Sequence, residues 1–371
     1  MEFKIKKQIL IQSLNKVQGI TGKKTNIPIT SNVILTAKEG LLSIAATDLE
    51  IAFHGTYEAE VIKEGSSAIP SRKFFEIVKD FPNDNIVIKE LENKWIQIAG
   101  NNVEYNIVGM ETDEFPGIPS VDGVELFDLD SGIFKNMIEK TIFAVLSDEG
   151  RAHLAGVFFE NVVENDGNII RMVSTDGHRL SKIEQPIQKG QNLSLKEGVI
   201  IPKSGIVEIL RILDGGKKIK IGFKDNSFIV KKDQEGLIIR LIEGEFPDYQ
   251  LVIPKRNKGE LRVDKGIFLM MLKRMSILSS DKYRSVRFKI DKEKMETTTT
   301  NPDIGESKEI IPVKYSGEKI EIAFNPRYFM DVVSTMASDD IIIRLNDEAT
   351  PCMLEGDKDP NFLSVIMPMR I

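Results

Sequence analysis

The chain has 371 residues, a net charge of −6 and one cysteine. That length exceeds one ordinary domain. Lone Cys352 excludes an internal disulfide and suits a reducing compartment, and the acidic balance excludes a surface that grips nucleic acid everywhere.

In chain order, apolar residues at helical spacing predict helices over about 6–18, 71–81, 130–145, 202–213, 264–279 and 325–337. Asp130 and Asp264 sit where N-caps belong, and Pro202 and Pro326 suit a first helical position. Between them lie short β-runs such as Val33-Ile34-Leu35-Thr36, Ile86-Val87-Ile88, Ile219-Lys220-Ile221 and Ile341-Ile342-Ile343. Gly, Asn and Asp clusters bound these runs, as at Glu164-Asn165-Asp166-Gly167-Asn168 and Asp214-Gly215-Gly216. Few helices among many strands reads as α+β with antiparallel sheets, the helices gathered on one side. No run of about 18 apolar residues offers a membrane span, and Met1-Glu2-Phe3-Lys4-Ile5-Lys6-Lys7 lacks an apolar signal core, so the expected location is cytoplasmic.

The second helix of each pair exposes a repeat. Ile69-Pro70-Ser71-Arg72-Lys73-Phe74-Phe75-Glu76-Ile77-Val78 aligns with Ile201-Pro202-Lys203-Ser204-Gly205-Ile206-Val207-Glu208-Ile209-Leu210 and with Phe324-Asn325-Pro326-Arg327-Tyr328-Phe329-Met330-Asp331-Val332-Val333. Gly132-Ile133-Phe134 recurs as Gly266-Ile267-Phe268, Thr47-Asp48-Leu49 as Thr175-Asp176-Gly177 and Thr300-Asn301-Pro302, and Phe115-Pro116 as Phe246-Pro247. A period of domain size, far beyond solenoid repeats of 20–50 residues, predicts one domain copied three times over 1–121, 122–254 and 255–371. The predicted helices, counted with Asp214 just past the fourth, hold fourteen basic and eight acidic residues, +6, so the remainder of the chain carries −12. A basic helical face inside an acidic shell suits a polyanion held by diffuse contacts.

Signs of catalysis are missing. His54, His153 and His178 make no metal-ligand spacing, and there is no GxxxxGK, GxSxG or HExxH. Asp357-Lys358-Asp359-Pro360-Asn361 reads as a turn, since Phe362 stands where a calcium loop needs glycine. Cys352 reads as a small buried residue and Trp95 as a packing residue. The expectation is a protein that is not an enzyme and uses no metal or other cofactor. A hydrolase would need a nucleophile–base pair that the sequence does not present. Two segments stand out instead: Thr175-Asp176-Gly177-His178-Arg179-Leu180 and the apolar, Met-rich terminus Val365-Ile366-Met367-Pro368-Met369-Arg370-Ile371. Methionine-rich surface adapts to varied partners.

With Phe246-Pro247-Asp248-Tyr249, Ala46-Thr47-Asp48-Leu49 and Val313-Lys314-Tyr315-Ser316-Gly317, these segments make the whole chain resemble the bacterial sliding clamp family, the beta subunit of DNA polymerase III. The resemblance implies three clamp domains per chain, helices lining a central channel, antiparallel sheets outside, and a ring closed as a head-to-tail homodimer. It implies a processivity factor that encircles double-stranded DNA without sequence preference. The ring would tether the replicative polymerase, and the clamp loader and other polymerases and repair proteins would share its site through short clamp-binding peptides. A repeat scaffold that binds peptides without encircling DNA is the alternative. Carried over by position, the peptide site takes Leu154, Thr175, Gly177, His178, Arg179, Leu180, Pro247, Val252, Val365, Ile366, Met367, Pro368, Met369 and Arg370. DNA contacts fall to Lys24, Arg72, Lys73, Arg151, His153 and Lys203, and the dimer interface to Tyr105, Ile277 and Leu278. Leu251 stands where some members carry arginine, and Glu104 where a basic residue is sometimes found.

Overall fold

A computed structural model describes residues 1–22, 27–119, 121, 123–146, 150–164, 167–187, 193, 195, 197–213, 218–278 and 285–370. The turn expected at 214–216 and residues 165–166 of the earlier turn lie outside these. Among the described residues there are six α-helices: α1 (Lys7–Thr21), α2 (Ser71–Asp80), α3 (Ser131–Glu139), α4 (Lys203–Ile212), α5 (Lys265–Leu278) and α6 (Pro326–Thr335). They match the predicted segments with two corrections. Helix α3 ends at Glu139, well short of 145. Ser181 Oγ donates to the Lys140 carbonyl and Ser174 Oγ to that of Thr141, and a 3-10 turn, Ile142–Ala144, follows. Pro202 ends the strand Val199–Pro202 and lies just ahead of α4, whereas Pro326 does occupy the first turn of α6. The two aspartates cap as expected: Asp130 Oδ1 accepts from Ile133 N at 2.9 Å and Asp264 Oδ1 from Ile267 N at 2.8 Å.

The chain divides into two compact units, 1–134 with 204–241 and 135–203 with 242–371, so the middle repeat is shared between them. In the first unit an antiparallel sheet of five strands runs Glu60–Lys63, Glu2–Lys6, Asn85–Glu90, Trp95–Gly100, Val103–Val108. A sheet of eight joins two repeats where Ile51–Glu58 pairs with Glu235–Arg240, from Gly55 opposite Glu235 to Ile51 opposite Ile239. In the second unit a sheet of nine does the same where Arg179–Pro186 pairs with Phe362–Ile366, from Ile183 opposite Phe362 to Arg179 opposite Ile366. A sheet of four ends at the edge strand Gly305–Pro312.

The first and third helix pairs, α1 with α2 and α5 with α6, bury their apolar stripes in the interior. Leu10, Leu14, Val17, Phe74 and Val78 are fully buried in the first unit. In the second, Phe268, Phe288, Phe324 and Phe329 form a ring cluster with centroids 5.1 to 5.8 Å apart. Full burial of such side chains is worth roughly 1.5–3 kcal/mol each. Cys352 lies in this interior, where desolvation holds its thiol protonated. Trp95 does not: it sits beside the edge strand Val103–Val108 and is 41% exposed.

Candidate functional site

The repeat is visible at the level of single hydrogen bonds. Thr47 Oγ1 donates to Ile51 O at 3.0 Å and accepts from Leu49 N at 3.0 Å, while Asp48 Oδ1 accepts from Glu50 N and Ile51 N. Thr175 Oγ1 donates to Arg179 O at 2.7 Å and accepts from Gly177 N at 3.1 Å, while Asp176 Oδ1 accepts from His178 N and Arg179 N. The third copy keeps part of the turn, with Asp303 N donating to Asn301 Oδ1. The turn needs a left-handed residue, which is Leu49 at φ 77° in one copy and Gly177 at φ 87° in the next.

In the second unit this turn borders an apolar cavity of about 280 Å³. Leu154, Thr175, Gly177, Arg179, Leu180, Pro247, Val252, Val365 and Met367 line it, all of them residues assigned to the peptide site. Arg151 and His153, assigned to DNA, also line it. Asp248 and Tyr249 complete the wall and were not assigned, although the Phe246-Pro247-Asp248-Tyr249 motif contains both. The other assigned residues lie around it. His178 is exposed, its ring 6.5 Å from that of Tyr328. Ile366 is buried in the ladder opposite Arg179. The chain then runs through Pro368 to Met369, whose N donates to Ala323 O at 2.8 Å, and to exposed Arg370.

The cavity walls are fixed by charge. Arg179 donates to Asp176 Oδ2 at 3.0 Å, Asp331 Oδ2 at 2.5 Å and Phe143 O at 2.7 Å, and its guanidinium lies over the rings of Tyr328 and Phe143 at 4.6 and 5.4 Å. Such planar, multidentate anchoring is a property of arginine that lysine does not share. Tyr249 donates its hydroxyl to Glu160 Oε1 at 2.6 Å and accepts from buried Arg171 at 2.8 Å. Burial and the Glu160 contact push the Tyr249 phenol up to about 12, so it stays neutral and fixed as a wall. Burial raises the Glu184 carboxyl, but Lys182 and Arg171 outweigh it and hold it below its ordinary range. The result is a rigid apolar cleft with a polar rim, which suits apolar anchors of a short peptide.

The basic helices divide into two groups. Arg72 and Lys73 project from the first turn of α2, at 85% and 72% side-chain exposure, and both reach Glu76, at 3.1 and 2.7 Å. Hydrogen bonding from Lys73, then Arg72, keeps the Glu76 carboxyl low against a smaller opposing desolvation effect. Lys203 donates to Val145 O at 3.4 Å, and Lys24 lies outside the described residues. Other basic side chains turn inward. Lys7 Nζ donates to Phe81 O at the end of α2, and Lys265 Nζ likewise to Met336 O at the end of α6, each satisfying an orphan helix-terminal carbonyl. Lys140 is buried on Asp359. The exposed basic surface of the helices is therefore smaller than the sequence count. Among the described residues, no group of three or more His, Cys, Asp or Glu residues could hold a metal ion, and no helix is long and apolar enough to cross a membrane.

Of the residues assigned to the dimer, Tyr105 lies on the edge strand Val103–Val108 at 44% exposure, and Ile277 at 77% with half-buried Leu278 ends α5.

Three family models match in order: the N-terminal domain of the DNA polymerase III beta subunit over residues 1–119, its central domain over 128–248 and its C-terminal domain over 250–370. The chain is 30% identical to the beta sliding clamps of Escherichia coli K12, over 373 aligned residues, and of Vibrio cholerae, over 381, with both chains covered in full. Among solved structures it resembles a sliding clamp of Bartonella birtlesii bound to griselimycin, with TM-score 0.94, 27% identity and full coverage of both chains. It also resembles the beta sliding clamp of Caulobacter crescentus, with TM-score 0.93, 30% identity, and coverage of 100% of this chain and 99% of that one.

Proposed function

Because this chain belongs to the family of the DNA polymerase III beta subunit, we infer that it is a DNA sliding clamp. It is a non-catalytic processivity subunit, acting as a homodimeric ring around duplex DNA. Three domains of that subunit, in order along the whole chain, carry this reading. A ring around DNA is held by topology, so phosphate contacts can stay weak and permit sliding. Tethering the polymerase raises its effective concentration at the primer end without a catalytic group in the clamp.

The cavity beside Thr175–Leu180 is the peptide site of this reading. Leu154, Leu180, Val252, Val365 and Met367 supply apolar contact, Gly177 leaves room, and Arg179 and Tyr249 are fixed walls. His178, Ile366, Pro368, Met369 and Arg370 frame it. Its users are the replicative polymerase, the clamp loader, and other polymerases and repair proteins carrying short peptides. DNA contacts in this reading fall to Arg72, Lys73, Lys203 and Lys24, and Arg151 and His153, also assigned to DNA, line the peptide cavity. Tyr105, Ile277 and Leu278 close the dimer. The domains of this reading are 1–121, 122–254 and 255–371. The workplace is the cytoplasm, where the bacterial chromosome is replicated.

The test is retention on a nicked circular DNA after loading by a cognate loader of demonstrated activity. Release only when the circle is linearised is the expected result. Retention on linear DNA would mean direct binding, and failure to load would leave a peptide-binding scaffold.

A further inference from the structure

The two ladders that join repeats share one register. Hairpin pairing sets Val103–Val108, Glu235–Arg240 and Phe362–Ile366 in equivalent places, with Ile107, Ile239 and Ile366 at one position. The Thr-Asp turns likewise align Ile51, Arg179 and Gly305. At the first junction Ile51 lies opposite Ile239, and at the second Arg179 lies opposite Ile366. One rule therefore serves twice, and one strand of each kind remains as a sheet edge: Gly305–Pro312 and Val103–Val108.

Applied once more between two copies, the rule puts Gly305 opposite Ile107, Ser307 opposite Tyr105 and Lys308 opposite Glu104. Burial alternates along Gly305–Pro312 so that Lys308 faces outward with Glu306 and Ile310. Tyr105 and Ile107 lie opposite buried Ile98 and Ile96, which turns Glu104 to the outward face of its own sheet. The two charges thus share a face and are opposite in sign. Lys308 already sits 2.9 Å from Glu296, so a second acid would complete a bridge across it. Hydrogen bonds from Asn106, then Gln97, hold the Glu104 carboxyl below its ordinary range.

We propose that Glu104 of one copy and Lys308 of a second copy form the ion pair that selects the register and the partner of the closing ladder. This rests on the ring reading above and adds to it the residues that decide which edge pairs with which. A one-residue slip would turn every inward side chain outward and separate the charges onto opposite faces. An edge carrying the same sign at both positions would place like charges directly opposite.

Two measurements test it on the full chain. The first is cross-linking by diamide, which takes up the two thiol electrons; buried Cys352 leaves little background. Tyr105→Cys with Ser307→Cys should give a covalent dimer, and Tyr105→Cys with Glu306→Cys or with Lys308→Cys should not. Cross-linking of a slipped pair in place of the first would overturn the register while leaving a dimer. A monomer by sedimentation of the unmodified chain would overturn the ring itself. The second is a charge exchange. Glu104→Lys alone should weaken dimerisation by about tenfold, since each ring carries the pair twice, and adding Lys308→Glu should restore it. A double variant as weak as the single one would remove the pair from the interface.

Discussion

The Thr47–Ile51 and Thr175–Arg179 turns share their threonine and aspartate side-chain bonds to the backbone and differ in what stands behind them. Behind the first, Ala52, Ile229 and Ile238 are covered by Ile118, Val121, Val124 and Leu126 from the connection between repeats. Behind the second, the equivalent Leu180, Met353 and Val365 meet Tyr249 and Val252, but the positions of Val124 and Leu126 hold Lys258 and Glu260. Charged residues do not fill an apolar cleft, because their desolvation is uncompensated. In one unit the connection seals the apolar patch; in the other a cavity stays open. The lesson is that an open cavity arises here by withholding apolar side chains from a repeat that keeps its turn and strand register.

Both junctions also use one helix position as a tie. The first strands align Ile5, Leu129 and Val263, so Lys16, Lys140 and Arg274 are equivalent. Lys16 binds Glu235 at 2.5 Å with partial exposure, while Lys140 is buried on Asp359 beneath the Phe362 ring. Removing one partner of a buried pair strands the other charge. Lys140→Met should therefore cost about 3–4 kcal/mol and Lys16→Met about 1–2 kcal/mol, read from denaturant midpoints. Equal losses would mean that burial does not distinguish the two ties. The acid side gives a pH signature. Burial raises the Asp359 carboxyl, but the Ala337 N–H, Lys140 and Ser338 together hold it below its ordinary value. Its contribution is thus present above about pH 4 and lost as pH falls through the lower folded value. Asp359→Asn should flatten stability below about pH 4, and an unchanged acid limb would assign that loss to other carboxylates.

Much of this was legible in the sequence. Helical periodicity, the Asp130 and Asp264 caps and the threefold motif survive almost residue for residue, because each rests on local chemistry. Just past the end of α3, the Lys140 and Thr141 carbonyls accept from Ser181 and Ser174, partners too distant in sequence for a linear pattern to show. Tyr249 stands in a motif read from the sequence, but its place in the cavity wall depends on Arg171, 78 residues away. The helix charge count could not separate surface cations from Lys7, Lys140 and Lys265, whose partners are likewise remote. Linear pattern reports local structure well; it reports long-range pairing only where the repeat supplies a second copy to compare.

Swapping one residue between the two turns sharpens the contrast. A Cβ on Gly177 would meet only Arg151 Nη1, at 3.6 Å, and Leu49 already occupies the equivalent left-handed position. Gly177→Leu should therefore fold with a loss of about 1–2 kcal/mol from the left-handed backbone. Its side chain would take up cavity space and weaken a short apolar clamp-binding peptide by about tenfold or more, a loss of roughly 1.4 kcal/mol or more, by calorimetry. Undiminished affinity would place the peptide elsewhere.

The smallest effect separates the two terminal methionines. Met367 lines the cavity, and its N donates to His178 O at 2.8 Å; Met369 is absent from the lining, and its backbone pairs with Ala323. A charge at 367 would lie in apolar surroundings, so Met367→Asp should weaken the same peptide by about tenfold. Met369 is 36% exposed, and an aspartate there can reach water. Met369→Asp should change affinity by less than about threefold, within the roughly 0.5 kcal/mol expected of surface substitutions. If Met369→Asp proved the more damaging, the peptide would extend along the terminal segment toward the strand Ile320–Phe324, and the cavity beside Gly177 would hold only part of it.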